Sequence, residues 1–418
     1  MIADPKAFLS GLFESAVAAA DPLKALQGNL PDPPKGRTVV VGAGKGAAQL
    51  AQAFETLWPA PYSGVVVTRY GYAAPCARIK VLEAAHPVPD AAGLAAAEAL
   101  KAAVTGLTPD DLVIALVCGG GSSLLPAPPD GLTLQDLQDL NEALLASGAP
   151  ISVMNDIRKC FSTINGGRLV ALAHPANVVT LIVSDVPGDA PGEVASGPTV
   201  PGRPLASDVL GMVKARGITL PPRCMDHLRA ATPEQPPQAP FTTARIIASA
   251  ALSLEAAAEA ARAQGINAWV LSDRIEGEAR DVALVHAALA RQTALGGFPY
   301  PAPVVLLSGG ETTVTLRHKG RGGRNSEFQL ALALALEGVS GITALAADTD
   351  GIDGSEDNAG AFADGTTAAT LRAAGIDPVQ MLQGNDAYTA FAAINALFMT
   401  GPTGTNVNDF RAILITDP

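Results

Sequence analysis

An acidic loop follows one of the apolar runs of strand length in this chain. Asp348, Asp350 and Asp353 lie close together, directly after the apolar residues 342–347. Carboxylates at this spacing repel one another unless a positive group lies between them. A hard divalent cation such as Mg²⁺ is a common source of that charge, and it often accompanies phosphate groups. The loop therefore indicates chemistry on phosphates.

Two glycine-rich turns that follow other apolar runs are suited to bind anions. Residues 42–47 fit the G-x-G-x-x-A pattern, in which backbone N–H groups approach phosphate, and Lys45 adds a cation next to Gly44. A second turn offers backbone N–H groups and two hydroxyls to an anion. It has neither the sequence of a Walker A loop nor that of a nucleophile elbow. Its residues are Gly119, Gly120, Gly121, Ser122 and Ser123.

Basic residues accompany polar ones in two further segments. Helical spacing places Asn155 and Arg158 on one face, where they could meet a phosphate or a carboxylate. Residues 320–328 contain another glycine turn that leads into a helix, with Arg324 and Asn325 at its start. Such a helix start binds anions, and Arg321 and Arg324 are candidates to stabilise charge on a transferring phosphoryl group.

Three more polar segments complete the set of candidate site residues. Glu311 ends a strand-like run, and Asp185 or Asp189 in a Pro-Gly turn could hold a metal ion. The loop 401–409 is rich in hydroxyl and amide groups, which suits recognition of substrate hydroxyls or of a ribose, and it contains Thr405 and Asn406. The histidines show no paired spacing, and no catalytic role is expected for them.

Composition restricts the class of protein. The chain has 418 residues, of which 48% are hydrophobic and 4% aromatic, and this is enough for two large α/β cores. Its net charge of −12 argues against binding of nucleic acid, which needs clustered Lys and Arg. The four cysteines are widely spaced, as is usual for reduced thiols. No signal peptide or membrane span is evident, so a cytoplasmic protein is expected.

Uniformly apolar runs of strand length alternate with alanine-rich helical segments. This alternation predicts parallel sheets that are covered on both faces by helices. Ligands bind beyond the carboxyl ends of the strands in such sheets, and the motif loops all lie there. The proline-dense segment 232–240 is the best linker candidate, so the predicted domains are residues 1–240 and 241–418.

Taken together and in order, the motifs resemble those of the bacterial and archaeal type II glycerate kinases. These are glycerate 2-kinases whose C-terminal part carries the MOFRL signature, and some relatives are named hydroxypyruvate reductase. The resemblance extends from about residue 5 to residue 415. The segments that carry it are GAGKGAA, CGGGSSLLPAP, IRKCFSTINGGRL, SDVPGD, ASGPTV, SGGETTVT, GRGGRNSEF, DTDGIDG, AGAFAD and GPTGTNVND.

The resemblance implies both a fold and a reaction. The fold would be a larger Rossmann-like N-terminal domain and a smaller MOFRL-type C-terminal domain, each a mostly parallel sheet with flanking helices, with the active site in the cleft between them. The reaction would be ATP-dependent, Mg²⁺-assisted phosphorylation of D-glycerate at its 2-hydroxyl. The family's catalytic lysine and arginine correspond to Lys45 and Arg324.

The chain departs from the family pattern at a few positions. Cys160 stands where a histidine is expected and Asn165 where a lysine is expected, and the first turn reads Lys-Gly-Ala instead of Lys-Ala. If either missing side chain carries charge toward the substrate in relatives, affinity or substrate choice would differ here.

In-line phosphoryl transfer depends mainly on positioning and on charge neutralisation. Lys45 and Arg324 are therefore expected to flank the γ-phosphoryl group and the glycerate carboxylate, and residues 119–123 to bind phosphate. Glu311 is expected to orient a substrate hydroxyl or a metal-bound water. Asp189, with either Asp350 or Asp353, is expected to hold Mg²⁺.

Two other functions stay open at the level of sequence. An NAD(P)-dependent hydroxypyruvate reductase would use residues 42–44 for its dinucleotide, but Thr68-Arg69 stands where such enzymes carry an acidic residue. A non-catalytic protein that binds a phosphorylated ligand would not need the carboxylates of 348–353. The sequence also leaves the oligomeric state open, a homo-oligomer included.

Overall fold

The structure, a computed structural model, describes residues 2–202, 204–231 and 242–416. The chain forms two compact units. One comprises Ala25–Ile247, and the other comprises Met1–Lys24 together with Ala248–Pro418. The predicted linker 232–240 and the boundary at residue 240 lie outside the described residues. None of the helices in the described ranges is long and apolar enough to cross a membrane.

The unit 25–247 is built on a six-stranded sheet with the order β3-β2-β1-β4-β5-β6. The pairs β2–β3, β1–β2, β1–β4 and β4–β5 are all parallel, which is the doubly wound arrangement predicted from the apolar runs. The strands are β1 Thr38–Ala43, β2 Tyr62–Arg69, β3 Ile79–Ala84, β4 Leu112–Cys118, β5 Asn177–Val183 and β6 Thr242–Ala248.

Helices follow the strands of this unit because alanine-rich segments present apolar faces to the sheet. The Asp90 carboxylate caps the helix that begins at Ala91 by accepting a hydrogen bond from the N–H of Gly93 at 3.0 Å. The helices of this unit are α3 Ala47–Leu57, α4 Ala91–Ala103, α5 Gly121–Leu124, α6 Leu134–Ala146, α7 Ile151–Lys159, α8 Arg168–Ala173, α9 Ala206–Ala215 and α10 Pro222–Ala230. Two helices come before them in the chain, α1 Pro5–Ala19 and α2 Pro22–Leu26.

The second unit is built on a six-stranded sheet with the order β11-β10-β9-β12-β8-β7. Strands β7, β8, β9 and β11 run in one direction, whereas β10 and β12 run in the other, so most neighbouring pairs are antiparallel. The strands are β7 Asn267–Glu278, β8 Val304–Thr313, β9 Ile342–Asp348, β10 Gly360–Asp364, β11 Leu397–Phe398 and β12 Asp409–Ile415. This confirms two α/β units with mostly same-direction strands and adds that the second sheet is mixed.

Helices α11 Ala250–Ala263, α12 Ala279–Gly296, α13 Arg324–Ala335, α14 Thr367–Ala373, α15 Pro378–Gln383 and α16 Ala387–Ala393 belong to the second unit. Helix α1 packs here as well: the Phe13 ring meets those of Phe398 and Phe410 edge-on, with centroids 5.1 and 5.6 Å apart. The unit thus includes the first 24 residues, which the sequence analysis assigns to the N-terminal domain. Contacts between residues so distant along the chain have no local signature.

The predicted strands and the observed ones differ mainly at sheet edges. Strand β3 was not predicted, because Lys80 and Glu83 interrupt its apolar pattern at an edge of the first sheet. Strands β10 and β11 were also not predicted: β11 lies at an edge of the second sheet and has only 2 residues, and β10 beside it has only 5. Glu311, expected to end a strand-like run, lies within β8, which continues to Thr313. Edge strands are half exposed, so their hydrophobic pattern is weak.

Candidate functional site

The two glycine turns of the N-terminal unit lie side by side. Strands β1 and β4 are parallel neighbours, with Ala43 opposite Val117, so that their carboxyl ends meet at one edge of the sheet. The N–H of Lys45 donates to the carbonyl of Gly119 at 2.9 Å. The Thr68 hydroxyl donates to the carbonyl of Lys45 at 3.1 Å, which joins the end of β2 to the same turn.

Glycine is required at two points of these turns. Gly44 has φ +134°, and a Cβ there would lie 2.4 Å from the carbonyl oxygen of Cys118. Gly120 has φ +78°, and a Cβ there would lie 2.9 Å from Nε2 of His86 and 3.1 Å from Cγ of Lys45. Only glycine adopts such conformations without strain. The turns are therefore held close to the lysine and histidine side chains.

His86 is a member of this group that the sequence analysis did not assign. Burial, together with the positive charges of Lys45 and Arg69, lowers the pKa of its imidazole to about 4. The ring is consequently neutral at physiological pH. Its only sequence signal is its position shortly after a half-exposed edge strand, which sequence reasoning did not recognise.

Hydrogen bonds of two serine hydroxyls stabilise the second glycine turn, at residues 119–123. Ser122 Oγ lies 2.8 Å from Ser196 Oγ, and Ser123 Oγ donates to the carbonyl of Gly120 at 3.2 Å. The Asp185 carboxylate lies directly over Gly119, where a Cβ would approach Asp185 Oδ2 to 1.7 Å. The predicted phosphate-binding residues 119–123 thus form the turn after β4 and the start of α5, with an acidic group beside them.

Asp189 lies in the turn after β5 with a positive φ of 54°. Its backbone N–H donates to the carbonyl of Val186 at 3.1 Å. Its carboxylate makes no hydrogen bond or ion pair with any residue that the structure describes, and the side chain is half-buried. The carboxylate oxygens of Asp189 therefore keep their capacity to bind a metal ion.

Asn155 and Arg158 are brought together on α7, as predicted. Arg158 Nη1 donates to Asn155 Oδ1 at 3.1 Å, and its Nη2 donates to Asn141 Oδ1. Within the described ranges no carboxylate pairs with this guanidinium, and burial lowers the pKa of Arg158. A half-buried cation with only neutral partners favours an incoming anion.

The two departures from the family pattern lie in the interior. Cys160 is buried in an apolar cluster, with its Sγ 3.7 Å from the carbonyl of Pro204. Asn165 is 4% exposed, and its Oδ1 has no hydrogen-bond partner among the described residues. The neighbouring Lys159 is also buried and pairs with Glu193 at 2.6 Å. Neither departure places a charge at these positions.

The C-terminal unit holds a second cluster, which we call the arginine cluster and which is centred on Arg324. Arg324 Nε donates to Asp409 Oδ1 at 2.6 Å, its Nη1 to Glu311 Oε1 at 3.1 Å and its Nη2 to Asp348 Oδ2 at 2.9 Å. The positive group that lies against the Asp348 carboxylate is thus an arginine of the chain itself. Predicted residues Arg324 and Glu311 are brought into direct contact.

Asp409 links this arginine to a buried one behind it. Its Oδ2 accepts a hydrogen bond from Arg411 Nη2 and one from the N–H of Thr312 at 3.1 Å, while its Oδ1 also accepts from Asn325 Nδ2 at 2.9 Å. Arg411 is 1% exposed. Arg411 was not predicted as a site residue, because it lies inside an apolar strand. Asn325 was predicted to bind a ligand, whereas its side chain is fully buried in this network.

The opposite charges of the arginine cluster shift one another's pKa values toward the ionised forms of Arg324 and Asp409. Burial by itself would lower the pKa of Arg324, but the carboxylates of Asp409, Asp348 and Glu311 outweigh it and hold the guanidinium firmly protonated. Burial raises the pKa of Asp348. Burial also acts to raise the pKa of Asp409, but Arg411 and Arg324 outweigh it and keep that carboxylate ionised.

Asp353 caps helix α13. Its Oδ1 accepts from the N–H of Asn325 at 2.9 Å, and its Oδ2 accepts from the N–H and the hydroxyl of Ser326, at 2.8 Å for the N–H. The side chain is fully buried, and a Cβ at Gly323 would lie 2.3 Å from its Oδ1. The helix start predicted to bind a ligand anion therefore binds a carboxylate of the chain itself.

Asp350 joins the acidic loop to the C-terminal polar loop. Its N–H donates to Asp348 Oδ1 at 3.0 Å, and its Oδ2 accepts from Asn406 Nδ2 at 3.5 Å. Thr405 is 9% exposed and its carbonyl accepts from Thr403 Oγ1 at 3.3 Å. The structure thus brings the predicted residues Asp350, Thr405 and Asn406 together.

The donor set fits Mg²⁺ only in part. In the described segments no three His, Cys, Asp or Glu side chains converge to hold a metal ion. Mg²⁺ often takes only one or two carboxylates and completes its shell with water and substrate phosphates. The Asp189 carboxylate has no partner among the described residues. Asp350 Oδ1 accepts from the N–H of Ile352 at 2.9 Å, and its Oδ2 is bonded only weakly, by Asn406 at 3.5 Å. Both oxygens of Asp353 accept short hydrogen bonds from the start of α13.

Two sequence families match separate parts of the chain. The family described as "Domain of unknown function (DUF4147)" matches residues 8–229, and the family described as "MOFRL family" matches residues 304–409. The first match covers more than half of the chain. Both glycine turns of the N-terminal unit lie in the first match, and the arginine cluster from Glu311 to Asp409 lies in the second.

Similarity to individual proteins extends over nearly the whole chain. A protein of Agrobacterium vitis with a hydroxypyruvate reductase name is 52% identical over 97% of this chain and 94% of its own. The D-glycerate 2-kinase of Thermotoga maritima is 38% identical over 97% of both chains. The crystal structure of a glycerate kinase from that organism matches with a TM-score of 0.90 at 36% identity, over 98% of this chain and 99% of that one. The chain therefore belongs to the glycerate 2-kinase family that combines a DUF4147 region with a MOFRL region.

Proposed function

We propose that this protein is a glycerate 2-kinase that transfers the γ-phosphoryl group of ATP to the 2-hydroxyl of D-glycerate. In this reaction the hydroxyl oxygen forms a bond to the γ-phosphorus and the bond from that phosphorus to the β–γ bridging oxygen breaks. The products are 2-phosphoglycerate, ADP and the proton of the hydroxyl. The observation that carries the proposal is the match along nearly the entire chain to a glycerate kinase of known structure.

The glycine turns of the N-terminal unit support a role in binding anions. Lys45 makes no ion pair with the residues that the structure describes, and it lies beside the three-glycine turn. Arg158 is likewise held only by neutral amide oxygens. In a chain with a net charge of −12, such unneutralised cations are suited to carboxylate and phosphate ligands. We assign Lys45 to phosphoryl transfer, and Asn155 and Arg158 to substrate binding.

The arginine cluster supports a second, preorganised positive charge. Three carboxylates fix the position of Arg324 before any ligand arrives, so little reorganisation is needed when charge develops on a transferring group. Glu311 is half exposed, and its Oε2 makes no hydrogen bond with the described residues, so it could orient the substrate hydroxyl. We assign both clusters to one reaction, because the likeness to the kinases includes both units.

Mg²⁺ would neutralise phosphate charge, and its candidate protein ligands are Asp189 and Asp350. The Asp189 carboxylate has no partner among the described residues, and Asp350 Oδ2 is only weakly bonded by Asn406, so each offers an oxygen to Mg²⁺. Asp350 also holds Asn406 of the polar loop, which together with Thr405 is suited to bind hydroxyl groups. Residues 119–123 would supply backbone N–H groups to phosphate.

Identification of the product tests the proposal directly. The purified protein is incubated with ATP, Mg²⁺ and D-glycerate, and phosphorus NMR should show ADP and 2-phosphoglycerate. Formation of 3-phosphoglycerate would contradict the assigned hydroxyl, and absence of any new phosphate ester would contradict the kinase.

A parallel assay addresses the reductase name of the Agrobacterium relative. The protein is mixed with NADH or NADPH and hydroxypyruvate, and absorbance of the reduced cofactor is followed. We expect no consumption of the cofactor, because the end of β2 carries Arg69 where dinucleotide-binding enzymes place an acidic residue.

A further inference from the structure

The carboxyl ends of four neighbouring strands bring Lys45 together with two residues, Arg69 and His86, that have no role in the proposed reaction so far. Arg69 is the last residue of β2 and lies opposite Ala84, the last residue of β3. The N–H of Tyr70 donates to the carbonyl of Ala84 at 3.2 Å, and His86 follows two residues later. His86 and Lys45 both border Gly120, within 2.9 and 3.1 Å of the place where its Cβ would lie. Arg69, His86 and Lys45 therefore share one edge of the sheet.

Arg69 is held in place without a negative partner. Its guanidinium carbon lies 3.5 Å from the centre of the Tyr72 ring, and the N–H of Tyr72 donates to the carbonyl of Arg69 at 3.1 Å. Gln49 on α3 donates to the carbonyl of Tyr72 at 3.1 Å and fixes this turn. The Nε–H of Arg69 is buried, and no described residue accepts from it.

A buried, unused N–H on a guanidinium is costly unless a ligand accepts from it. Stacking on Tyr72 orients the plane of the group but occupies none of its donors. Neither Arg69 nor Lys45 forms an ion pair with a described residue, so that both positive charges remain available to a ligand. A planar guanidinium in this state matches the two oxygens of a carboxylate or a phosphate.

His86 adds a donor to the group without adding charge. Its imidazole is neutral, since burial and the two cations disfavour protonation. A third positive charge would repel Lys45 and Arg69, whereas a neutral ring can donate one N–H to an oxyanion. The Asp185 carboxylate beside Gly119 bounds the group on the side of the three-glycine turn.

We propose that Arg69 and His86, together with Lys45, form an oxyanion-binding site at the carboxyl ends of β1, β2 and β3. Arg69 determines the affinity of this site, and His86 contributes one neutral hydrogen-bond donor. The ligand group is a carboxylate or a phosphate. Which molecule carries this oxyanion depends on the proposed function. In the proposed reaction it is either the carboxylate of glycerate or a phosphate of the nucleotide.

Binding measurements on the full chain test the inference without relying on turnover. Isothermal titration with inorganic phosphate, D-glycerate and ADP is carried out on wild type, Arg69→Gln and Arg69→Lys. Loss of a charge-assisted contact should weaken binding of at least one ligand by roughly tenfold or more in Arg69→Gln. Arg69→Lys keeps the charge but not the fork of donors, so it should recover only part of that affinity.

Arg78→Gln is the matched control. Arg78 also faces a tyrosine, with its guanidinium carbon 5.8 Å from the Tyr62 ring, but it is exposed and precedes the amino end of β3. Its substitution should leave all three affinities unchanged. His86→Ala should weaken the same ligand as Arg69→Gln, and His86→Gln, which keeps an N–H donor, should weaken it less.

The pattern of losses identifies the ligand. A loss confined to D-glycerate assigns the site to the substrate carboxylate, and a loss confined to ADP assigns it to a nucleotide phosphate. Unchanged affinity of Arg69→Gln for all three ligands, or no binding of any of them by wild type, overturns the inference. If Arg69→Gln does not fold, Arg69→Lys decides in its place, because it can retain the contact with Tyr72.

This test is separable from that of the kinase. A wild type that forms no phosphorylated glycerate but binds phosphate in an Arg69-dependent manner would leave the oxyanion site standing and remove the proposed reaction. Conversely, kinase activity together with unaltered ligand affinities in both Arg69 variants would retain the reaction and remove this site.

Discussion

Asp409 lies between Arg324 and Arg411 and binds both. Its Oδ1 accepts from Arg324 Nε at 2.6 Å, and its Oδ2 accepts from Arg411 Nη2. Arg411 and Asp409 are at most 2% exposed, whereas the side chain of Arg324 is 22% exposed. A buried ion pair therefore anchors the arginine that reaches the surface. The orientation of the Arg324 guanidinium therefore depends on Asp409, a buried carboxylate that has no direct role in ligand binding.

Replacement Asp409→Asn should destabilise the protein strongly. The substitution leaves Arg411 buried without a compensating charge, and loss of one partner of a buried pair costs roughly 3–5 kcal/mol. Urea unfolding monitored by circular dichroism measures the change in the free energy of unfolding. Glu311→Gln serves as comparison: the side chain of Glu311 is 47% exposed, so its loss should change stability by less than about 1 kcal/mol. Equal losses in both variants would contradict the anchoring role of Asp409.

Replacements Lys45→Ala and Arg324→Ala should each lower kcat by roughly 10² or more, as loss of a preorganised charge contact does. Steady-state kinetics with ATP and D-glycerate measure the effect. Arg321 was also a candidate for this role, but the Glu356 carboxylate and the Tyr388 ring hold its guanidinium at the surface, so Arg321→Gln is the control within the same glycine turn. Its kcat should stay within roughly twofold of wild type. Near-wild-type kcat in the Lys45 and Arg324 variants would remove both assignments.

The buried His286 should make stability fall in mild acid. Its Nδ1–H donates to the carbonyl of Val282 at 2.9 Å, and its Nε2 lies 2.8 Å from the hydroxyl of Ser308. Burial lowers the pKa of His286 from 6.5 to about 4, with Arg411 acting in the same direction and the Val282 carbonyl opposing it. Because the folded pKa lies below the unfolded one, this group's contribution is complete above pH 6.5 and is lost as the pH falls to about 4.

The expected loss from this one group is roughly 3 kcal/mol across that interval. Chemical unfolding at a series of pH values measures it. His286→Gln removes the titration and should flatten the slope, whatever its effect at neutral pH. Gln292→Ala, a replacement on the exposed face of the same helix that changes no titratable group, should leave the slope as in wild type. A wild-type slope in His286→Gln would show that other groups cause the pH dependence.

Replacement of Asp189 or Asp350 should change the Mg²⁺ requirement of the enzyme, whereas replacement of Asp353 should change its stability. Asp189→Asn and Asp350→Asn should raise the Mg²⁺ concentration needed for half-maximal activity, because their carboxylates keep capacity for a metal ion. Asp353→Asn should instead lower the free energy of unfolding by about 1–2 kcal/mol, since its carboxylate caps α13. Mg²⁺ titrations of activity and thermal unfolding distinguish the two effects. A shifted Mg²⁺ requirement in Asp353→Asn alone would reverse the assignment.

Sequence patterns alone were enough to predict individual strands and turns and several residues of the candidate site. Uniformly apolar runs such as 112–118 predicted buried parallel strands, because a strand covered on both faces has no polar side. A glycine turn at a strand end marked Lys45 and another at a helix start marked Arg324, since a turn that brings backbone close to an anion needs residues without a Cβ. The ordered set of motifs also sufficed to indicate the family that the comparisons then established.

Only the tertiary structure decided which of these polar groups meet one another. It placed Asp353 under the start of α13 and Arg411 behind Asp409, and it joined His86 and Arg69 to Lys45 through the register of adjacent strands. Helix α1 likewise packs against strands that lie hundreds of residues later in the chain. Such contacts depend on strand order and on burial, because these determine which residues far apart in sequence become neighbours and how their charges interact. A local sequence pattern does not contain this information.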